Sequence, residues 1–470
     1  MPKPSQILRN KFPHEPTEGQ GKIFDLLDDF LESSSVERQI LLIKGYAGTG
    51  KTSVISVLVK VLPLFNYKYV LLAPTGRAAK VISSYAKRVA FTIHKRIYKT
   101  TSDKDSGSLK FNKQKNYSKD TIFIIDEASM LSESQDFGGK GLLSDLLNYV
   151  FQEKSNKLIL IGDGAQLPPV GQIISAGLNR VHLESNYGAE VNEIELTEVM
   201  RQGKGSGILD NATNLRNELG KNDFDIKIRT TSYKDMFRMS GEKMEDGIRY
   251  AYSKYGIENT TIICRSNQAA IQYNQFVRRF IHFYEDQLEA GDMLMIVRNN
   301  YFYTPDDTPG GFLANGDFVI LEKVLNYEER YGFNFAKLQL RMVDYPDQPS
   351  FEAMAILDTL HSNTTALPQE LSKQLYDYVQ QDYADLTTAK ARNEAVRNDP
   401  YLNALQIKYA YALTCHKSQG GQWSAVFVDQ GYLPDDKVDE EYIRWLYTAM
   451  TRATDELFLV NFNARFFVNF

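Results

Sequence analysis

The segment Gly45-Tyr46-Ala47-Gly48-Thr49-Gly50-Lys51-Thr52 constrains this chain more than any other. It directly follows an apolar run, Ile40-Leu41-Leu42-Ile43, and precedes a helix-length stretch over 53–62. A glycine-rich turn between a buried strand and a helix fits the pattern G-x-x-x-x-G-K-[ST], whose backbone N–H groups wrap phosphate at the positive end of the helix. In this reading Gly45, Ala47, Gly48, Thr49 and Gly50 shape the cradle and Lys51 reaches the outer phosphates. The Thr52 hydroxyl is the expected Mg²⁺ ligand. ATP or a related nucleotide is the expected occupant.

Nucleotide binding alone names no reaction. Two later strand ends narrow it. Ile122-Phe123-Ile124-Ile125 runs into Asp126 and Glu127. Asp126 is placed to hold Mg²⁺, and Glu127 can act as general base on an attacking water, which hydrolysis requires and transfer to another acceptor does not. Leu158-Ile159-Leu160-Ile161 leads to Gln166, an uncharged amide at the C-terminal edge of the sheet, where ligands of open α/β sheets bind. There it could report the presence of a γ-phosphate.

These runs, with Tyr69-Val70-Leu71-Leu72, are apolar on both faces and predict a buried parallel sheet. A second set over 261–264, 409–413, 425–428 and 457–460 predicts another. Between them, 312–403 has a different character: β-rich runs over 317–321 and 335–343, then a polar, helix-like part over 367–397. The length of 470 residues fits about three domains. No apolar run approaches the ~20 residues of a membrane span, and the first 16 residues contain four prolines and no signal-like stretch, so a cytoplasmic protein is expected. Cys264 and Cys415 sit in apolar runs without ligand spacing and read as buried thiols. The net charge of −5 argues against coating nucleic acid by bulk electrostatics, yet leaves room for a narrow basic track.

With these motifs in order, the chain resembles superfamily 1 helicases, and within them the group containing RecD, the Pif-type helicases and phage Dda. The resemblance covers nearly the whole chain. In Thr17-Glu18-Gly19-Gln20 it implies that Gln20 reads the adenine edge. Ala73-Pro74-Thr75-Gly76-Arg77-Ala78-Ala79 and Thr92-Ile93-His94 resemble DNA-contacting motifs of the first domain, which places Pro74, Thr75, Thr92 and His94 on the strand. Leu196-Thr197-Glu198-Val199-Met200-Arg201 resembles the element carrying an arginine finger. Thr414-Cys415-His416-Lys417-Ser418-Gln419-Gly420 resembles the second domain's DNA motif, with Thr414, His416 and Lys417 as contacts. Tyr447-Thr448-Ala449-Met450-Thr451-Arg452-Ala453 resembles the last motif, with Arg452 as second finger. One departure is Gln422, where many superfamily members carry a glutamate that touches the ribose; a nucleotide contact is still assigned to it.

The resemblance implies a mixed α/β fold: two RecA-like parallel-sheet domains, a β-hairpin insertion in the first and an SH3-like β-barrel insertion in the second. The expected division is 1–205 for the first domain, 206–312 with 404–470 for the second, and 313–403 for the inserted barrel and its helical appendage. Within the first domain, 97–120 reads as two ribbons around Asp105-Ser106-Gly107-Ser108, rich in lysine. It is either a wedge at the duplex junction, with Phe111 or Tyr117 stacking on a terminal base pair, or a disordered basic loop. The expected partners are single-stranded DNA and single-strand/duplex junctions. A monomer is expected, with no membrane partner and room for a protein partner on the acidic part after 361. The implied activity is ATP-driven movement on single-stranded DNA, 5′ to 3′, with unwinding. A translocase or RNA helicase with little unwinding, and a nucleotide-switched interaction module, are the alternatives.

Overall fold

The computed structural model describes residues 2–33, 37–102, 109–133, 141–200, 205–221, 223–303, 313–433 and 438–468. The first sheet gathers β1 (Gln39–Gly45), β2 (Lys68–Ala73) and β3 (Ala90–Thr92). A two-stranded ribbon, β4 (Tyr98–Ser102) and β5 (Leu109–Lys113), leaves it before β6 (Thr121–Ile125), β7 (Lys157–Gly162) and β8 (Glu190–Leu196) complete it. The order is β3-β2-β6-β7-β1-β8, every pairing parallel. Ile40 to Ile43, Ile122 to Ile125 and Leu158 to Ile161 are each fully buried, as runs apolar on both faces demand.

The second sheet takes β9 (Met236–Met239) and β10 (Thr260–Cys264). The chain then departs into β11 (Met293–Ile296), β12 (Phe318–Arg330), β13 (Phe333–Met342), β14 (Phe351–Ile356) and β15 (Leu405–Tyr409), which close into a barrel. It returns through β16 (Ala412–Thr414), β17 (Trp423–Asp429) and β18 (Ala453–Val460) to give the parallel order β16-β10-β17-β18-β9. The two expected sheets and the inserted barrel are therefore present.

The barrel reaches beyond 313–403 on both sides, because β11 and β15 pair with each other to close it. The apolar run at 409–413 serves two sheets: Tyr409 ends the barrel and Ala412 starts the second parallel sheet. β12 and β13 join through Tyr331-Gly332, both at positive φ (57° and 75°), as a two-residue hairpin turn requires. The helices Gln369–Asp382 and Ala389–Arg397 bury Leu375, Val379 and Val396 against Phe333 and Phe335 of that hairpin. The appendage thus owns a small apolar core.

Where the barrel joins the second sheet, Asp292 is fully buried and accepts four hydrogen bonds. They come from Arg278 Nε (2.8 Å) and Nη2 (3.0 Å), the Tyr411 hydroxyl (2.9 Å) and the Glu289 N–H (2.8 Å). Arg278 also stacks on Tyr409. Removing one member of a buried pair strands the other charge, so Arg278→Met should cost about 3–5 kcal/mol. Urea denaturation measures it, and adding Asp292→Asn should recover part of the loss.

Candidate active site and nucleic-acid groove

The phosphate loop turns through Gly48 and Gly50, at φ 75° and 80°, conformations that only glycine adopts freely. There is no room for a side chain either: a Cβ on Gly50 would lie 2.5 Å from Gln20 Nε2 and from Met200 Sδ. Lys51 Nζ donates to the carbonyls of Gly45 and Tyr46. Thr52 opens the helix Lys51–Val61 beside it. Gln20 is buried and uses its amide locally, donating to Thr49 O (3.0 Å) and accepting from Thr17 N (3.0 Å). That geometry holds the helix Glu18–Glu32 against the loop.

Asp126 ends β6. Burial and the neighbouring Glu127 carboxylate push its carboxyl up to about 7, against the opposing pull of the Glu127 N–H and the Lys51 ammonium. Glu127 holds the left-handed conformation (φ 54°), uncommon for a side chain of this size and a form of backbone strain seen at functional sites. A carboxylate in this condition favours a cation, and Mg²⁺ needs only one or two protein oxygens when phosphates and water supply the rest. Thr52 and Asp126 fit that donor set. The Met200 N–H donates to Gly48 O (3.0 Å), so the chain reaches the loop one residue before Arg201, which lies outside the described residues.

The second sheet closes over this pocket through the helix Glu440–Met450. Tyr447, buried between the domains, accepts a hydrogen bond from the Ala47 N–H (2.9 Å) and donates one to Asp163 Oδ2 (2.7 Å). Burial beside Asp163 raises this phenol well above its ordinary value, so it stays protonated and can do both. Thr448 Oγ1 accepts from the Leu167 N–H (2.8 Å), Gln419 Nε2 donates to Leu167 O (2.7 Å), and Arg444 donates to Gly164 O. The His416 ring meets the Pro168 carbonyl. Gln166 is buried in this seam, and its Oε1 has no protein partner among the described residues. Arg452 is turned into its own domain, donating to the carbonyls of Thr448 (3.1 Å) and Gly421 (3.3 Å).

A groove of about 530 Å³ lies on the same molecule between the first sheet and the barrel. Pro74, Thr75, Thr92 and His94 form one wall, Arg298, Asn299 and Asn315 another, and the segment 365–372 of the appendage contributes to the lining. In a chain with 59 acidic residues, the lining formed by the described residues has no carboxylate and one guanidinium. Thr75 and Thr92 also cap the helices that follow them. Burial lowers His94 to about 4, so its imidazole is neutral at ordinary pH. Thr414 and Lys417 line a separate small cavity with Lys408; burial and Lys408 lower Lys417 to about 8. Gln422 faces the first domain, its carbonyl accepting from Arg77 and its amide oxygen lying 3.5 Å from the Tyr85 hydroxyl. Phe111 stands opposite Thr100 in the ribbon register, and its side chain lies outside the described residues.

Sequence reasoning gave no role to Tyr447, Thr448, Gln419 or Arg298, and left 365–372 only a place in a protein-partner surface. Motif spacing exposed the first three only as members of a string, because their partners lie hundreds of residues away. Arg298 and the appendage carry no motif at all.

Asp317 borders the groove, with Oδ1 against Gly76 and Oδ2 accepting from the Ala314 N–H (2.7 Å). Burial raises its carboxyl to about 7. The folded state then holds that proton more tightly than the unfolded chain, so this group's contribution to stability is present at low pH and lost as pH rises from about 4 through 7. Asp317→Asn should therefore gain stability over the unaltered chain across that window, with a constant gap above it. Urea denaturation at pH 5 and pH 8 checks this; an equal gap at both would contradict it.

Two family models match the sequence in the order the fold presents them: an AAA domain over residues 27–232 and a UvrD-like helicase C-terminal domain over 409–460. An uncharacterised protein of Acanthamoeba polyphaga mimivirus is 26% identical over 491 residues, covering 89% of this chain and 94% of that one. The ATP-dependent DNA helicase dda of Enterobacteria phage T4 is 29% identical over 213 residues, 44% of each protein. In fold, the chain is similar to a Pif1 helicase solved in a study of unwinding at forked double-stranded DNA. The TM-score is 0.50 at 15% identity, over 96% of this chain and 94% of that one. The matched models, the two parallel sheets and the closed barrel agree with, and support, a superfamily 1 helicase of the Pif1/RecD/Dda type.

Proposed function

We propose that the chain is an ATP-dependent DNA helicase that travels 5′ to 3′ on single-stranded DNA and opens duplex at a single-strand junction, as a monomer in the cytoplasm. The observation that carries this reading is the shared seam. The loops that hold nucleotide, at 45–52 and 163–168, are hydrogen-bonded across it to the second sheet. The groove and the Thr414/Lys417 surface lie on the two bodies that the seam joins. A change at the nucleotide is then a change in the distance between two grips on the strand.

The loop 45–52 holds the triphosphate with Lys51 at its outer end, and Gln20 abuts the loop where the base would sit. Thr52 and Asp126 would hold Mg²⁺, which supplies charge neutralisation between the phosphates. Glu127 takes the proton of the attacking water. Gln166, whose buried amide oxygen needs a donor, can accept from the attacking water while its Nε2 donates to the terminal phosphate, and so senses it. Arg201 and Arg452 bring guanidinium charge to the transition state; such fingers are worth about 10³–10⁵ in rate in related chemistry. For Arg452 this requires release from the Thr448 and Gly421 carbonyls, which makes its arrival dependent on domain geometry. Pro74, Thr75, Thr92 and His94 grip on one side, Thr414 and Lys417 on the other, while His416 braces the seam. Melting one base-pair step costs ~1.4 kcal/mol, within reach of one closure. The β4–β5 ribbon is the wedge.

Strand displacement on duplexes with a 5′ or a 3′ tail tests this reading. The 5′-tailed duplex should be opened and the 3′-tailed one left intact. Lys51→Ala should abolish turnover while leaving strand binding, and deleting residues 100–117 should cripple displacement while sparing strand-stimulated hydrolysis. Hydrolysis indifferent to oligonucleotide would instead favour a nucleotide-switched interaction module.

A further inference from the structure

We infer that Arg77 is a positioning residue that relays strand occupancy of the groove to the candidate finger Arg452, through the loop Gly421-Gln422-Trp423. This rests on the reading of the groove and of Arg452 given above. Arg77 follows the groove residues Pro74 and Thr75 by two positions but does not line the groove. Its guanidinium packs over two rings set edge to face, 4.6 Å from the centre of Phe318 at the start of β12 and 4.0 Å from that of Trp423 at the start of β17. It therefore touches the first domain, the barrel and the second domain at once. Nη2 donates to Gln422 O (3.3 Å), and Nη1 is buried without a hydrogen-bond partner. Among the described residues no carboxylate forms an ion pair with it, and Asp344 acts on its charge without a hydrogen bond, so what holds this cation in place is mainly ring packing and a single carbonyl.

The same short loop holds Arg452 from its other side. Arg452 Nη1 donates to Gly421 O (3.3 Å), and the Trp423 N–H donates to Arg452 O (3.0 Å). Two arginines thus hang on consecutive carbonyls of one loop, Arg77 on residue 422 and Arg452 on residue 421. The loop has no slack. A Cβ on Gly421 would lie 2.5 Å from the Trp423 ring and 3.1 Å from Arg77 Nε, and one on Gly420 would lie 2.8 Å from Ala78 and 3.2 Å from Thr75 Oγ1. A strand that shifts the 74–77 turn drags the guanidinium over its two rings, and the loop must follow. Following it alters the carbonyl that holds Arg452 away from the phosphate loop. A packed element of this kind has discrete arrangements rather than a continuum, which suits a relay.

The full-length chain carrying Arg77→Met keeps a side chain of similar reach without the charge or the Gln422 bond; Trp423→Phe keeps a ring under the guanidinium. Turnover is measured with and without an oligo(dT) strand, and strand affinity with and without a non-hydrolysable ATP analogue. Arg77→Met should bind the strand and turn over unstimulated as the unaltered chain does, while strand stimulation falls by about tenfold or more, the scale of coupling between two sites. By reciprocity the analogue's effect on strand affinity should shrink as well. Trp423→Phe should retain most of the stimulation. The relay is overturned if Arg77→Met is stimulated like the unaltered chain. It is also overturned if that variant loses strand binding and unstimulated turnover together, as a direct contact or a purely structural role would require. An unaltered chain that ignores the strand would overturn the functional reading and the relay with it.

Discussion

The Tyr447 hydroxyl sits between the Ala47 N–H of the phosphate loop and the Asp163 carboxylate, and the rest of the working geometry depends on that contact. The phenol is contributed by the second sheet, both of its partners by the first. Because burial keeps it protonated, it can accept and donate in the same position. An unpaired buried donor or acceptor here would cost about 1–3 kcal/mol, so the sheets either keep this register or exchange it for another complete set of partners. That is the condition for a motor with defined states. The Leu167 and Gly164 contacts repeat the arrangement along the seam, so the loop carrying Gln166 is held at both its amide and carbonyl edges.

The groove follows a complementary logic. In the proposed reading, its affinity for an anionic strand would come less from accumulated positive charge than from the exclusion of negative charge, in a chain whose net charge is −5. Neutral His94, capping threonines and amides could offer hydrogen bonds that read no sequence, and among the described lining residues Arg298 supplies the one fixed cation. Phosphate contacts of this kind position a strand without specifying bases, as travel along any sequence requires. The barrel and the appendage close the groove from the side opposite the first sheet.

Much of this was legible in the sequence, and for a physical reason. Buried parallel strands must be apolar on both faces, so Ile40 to Ile43, Ile122 to Ile125 and Leu158 to Ile161 announced themselves. The phosphate loop announced itself because its glycines have no substitute. The two helices of the appendage were legible in their polar, helix-like pattern. Less visible was β8, whose Glu190–Leu196 alternates charge with apolar residues at the sheet edge, and the double use of 409–413 by barrel and sheet. Least visible were contacts that depend on assembly. Nothing local in Tyr447 points to Ala47, 400 positions away. Nothing in Arg77 points to the rings of Phe318 and Trp423. The orientation of Arg452 toward its own carbonyls is likewise a property of the closed domain rather than of its motif.

The central claim is that nucleotide and strand communicate by moving the two sheets relative to one another. The direct measurement is energy transfer between dyes on Ser84→Cys in the first domain and Glu242→Cys in the second. Both positions are exposed, and the native Cys264 and Cys415 are buried out of reach of the label. The account predicts that transfer efficiency changes when a non-hydrolysable ATP analogue or an oligo(dT) strand is added, and that Tyr447→Phe blunts the nucleotide-dependent change. An efficiency unmoved by nucleotide and strand alike would contradict it.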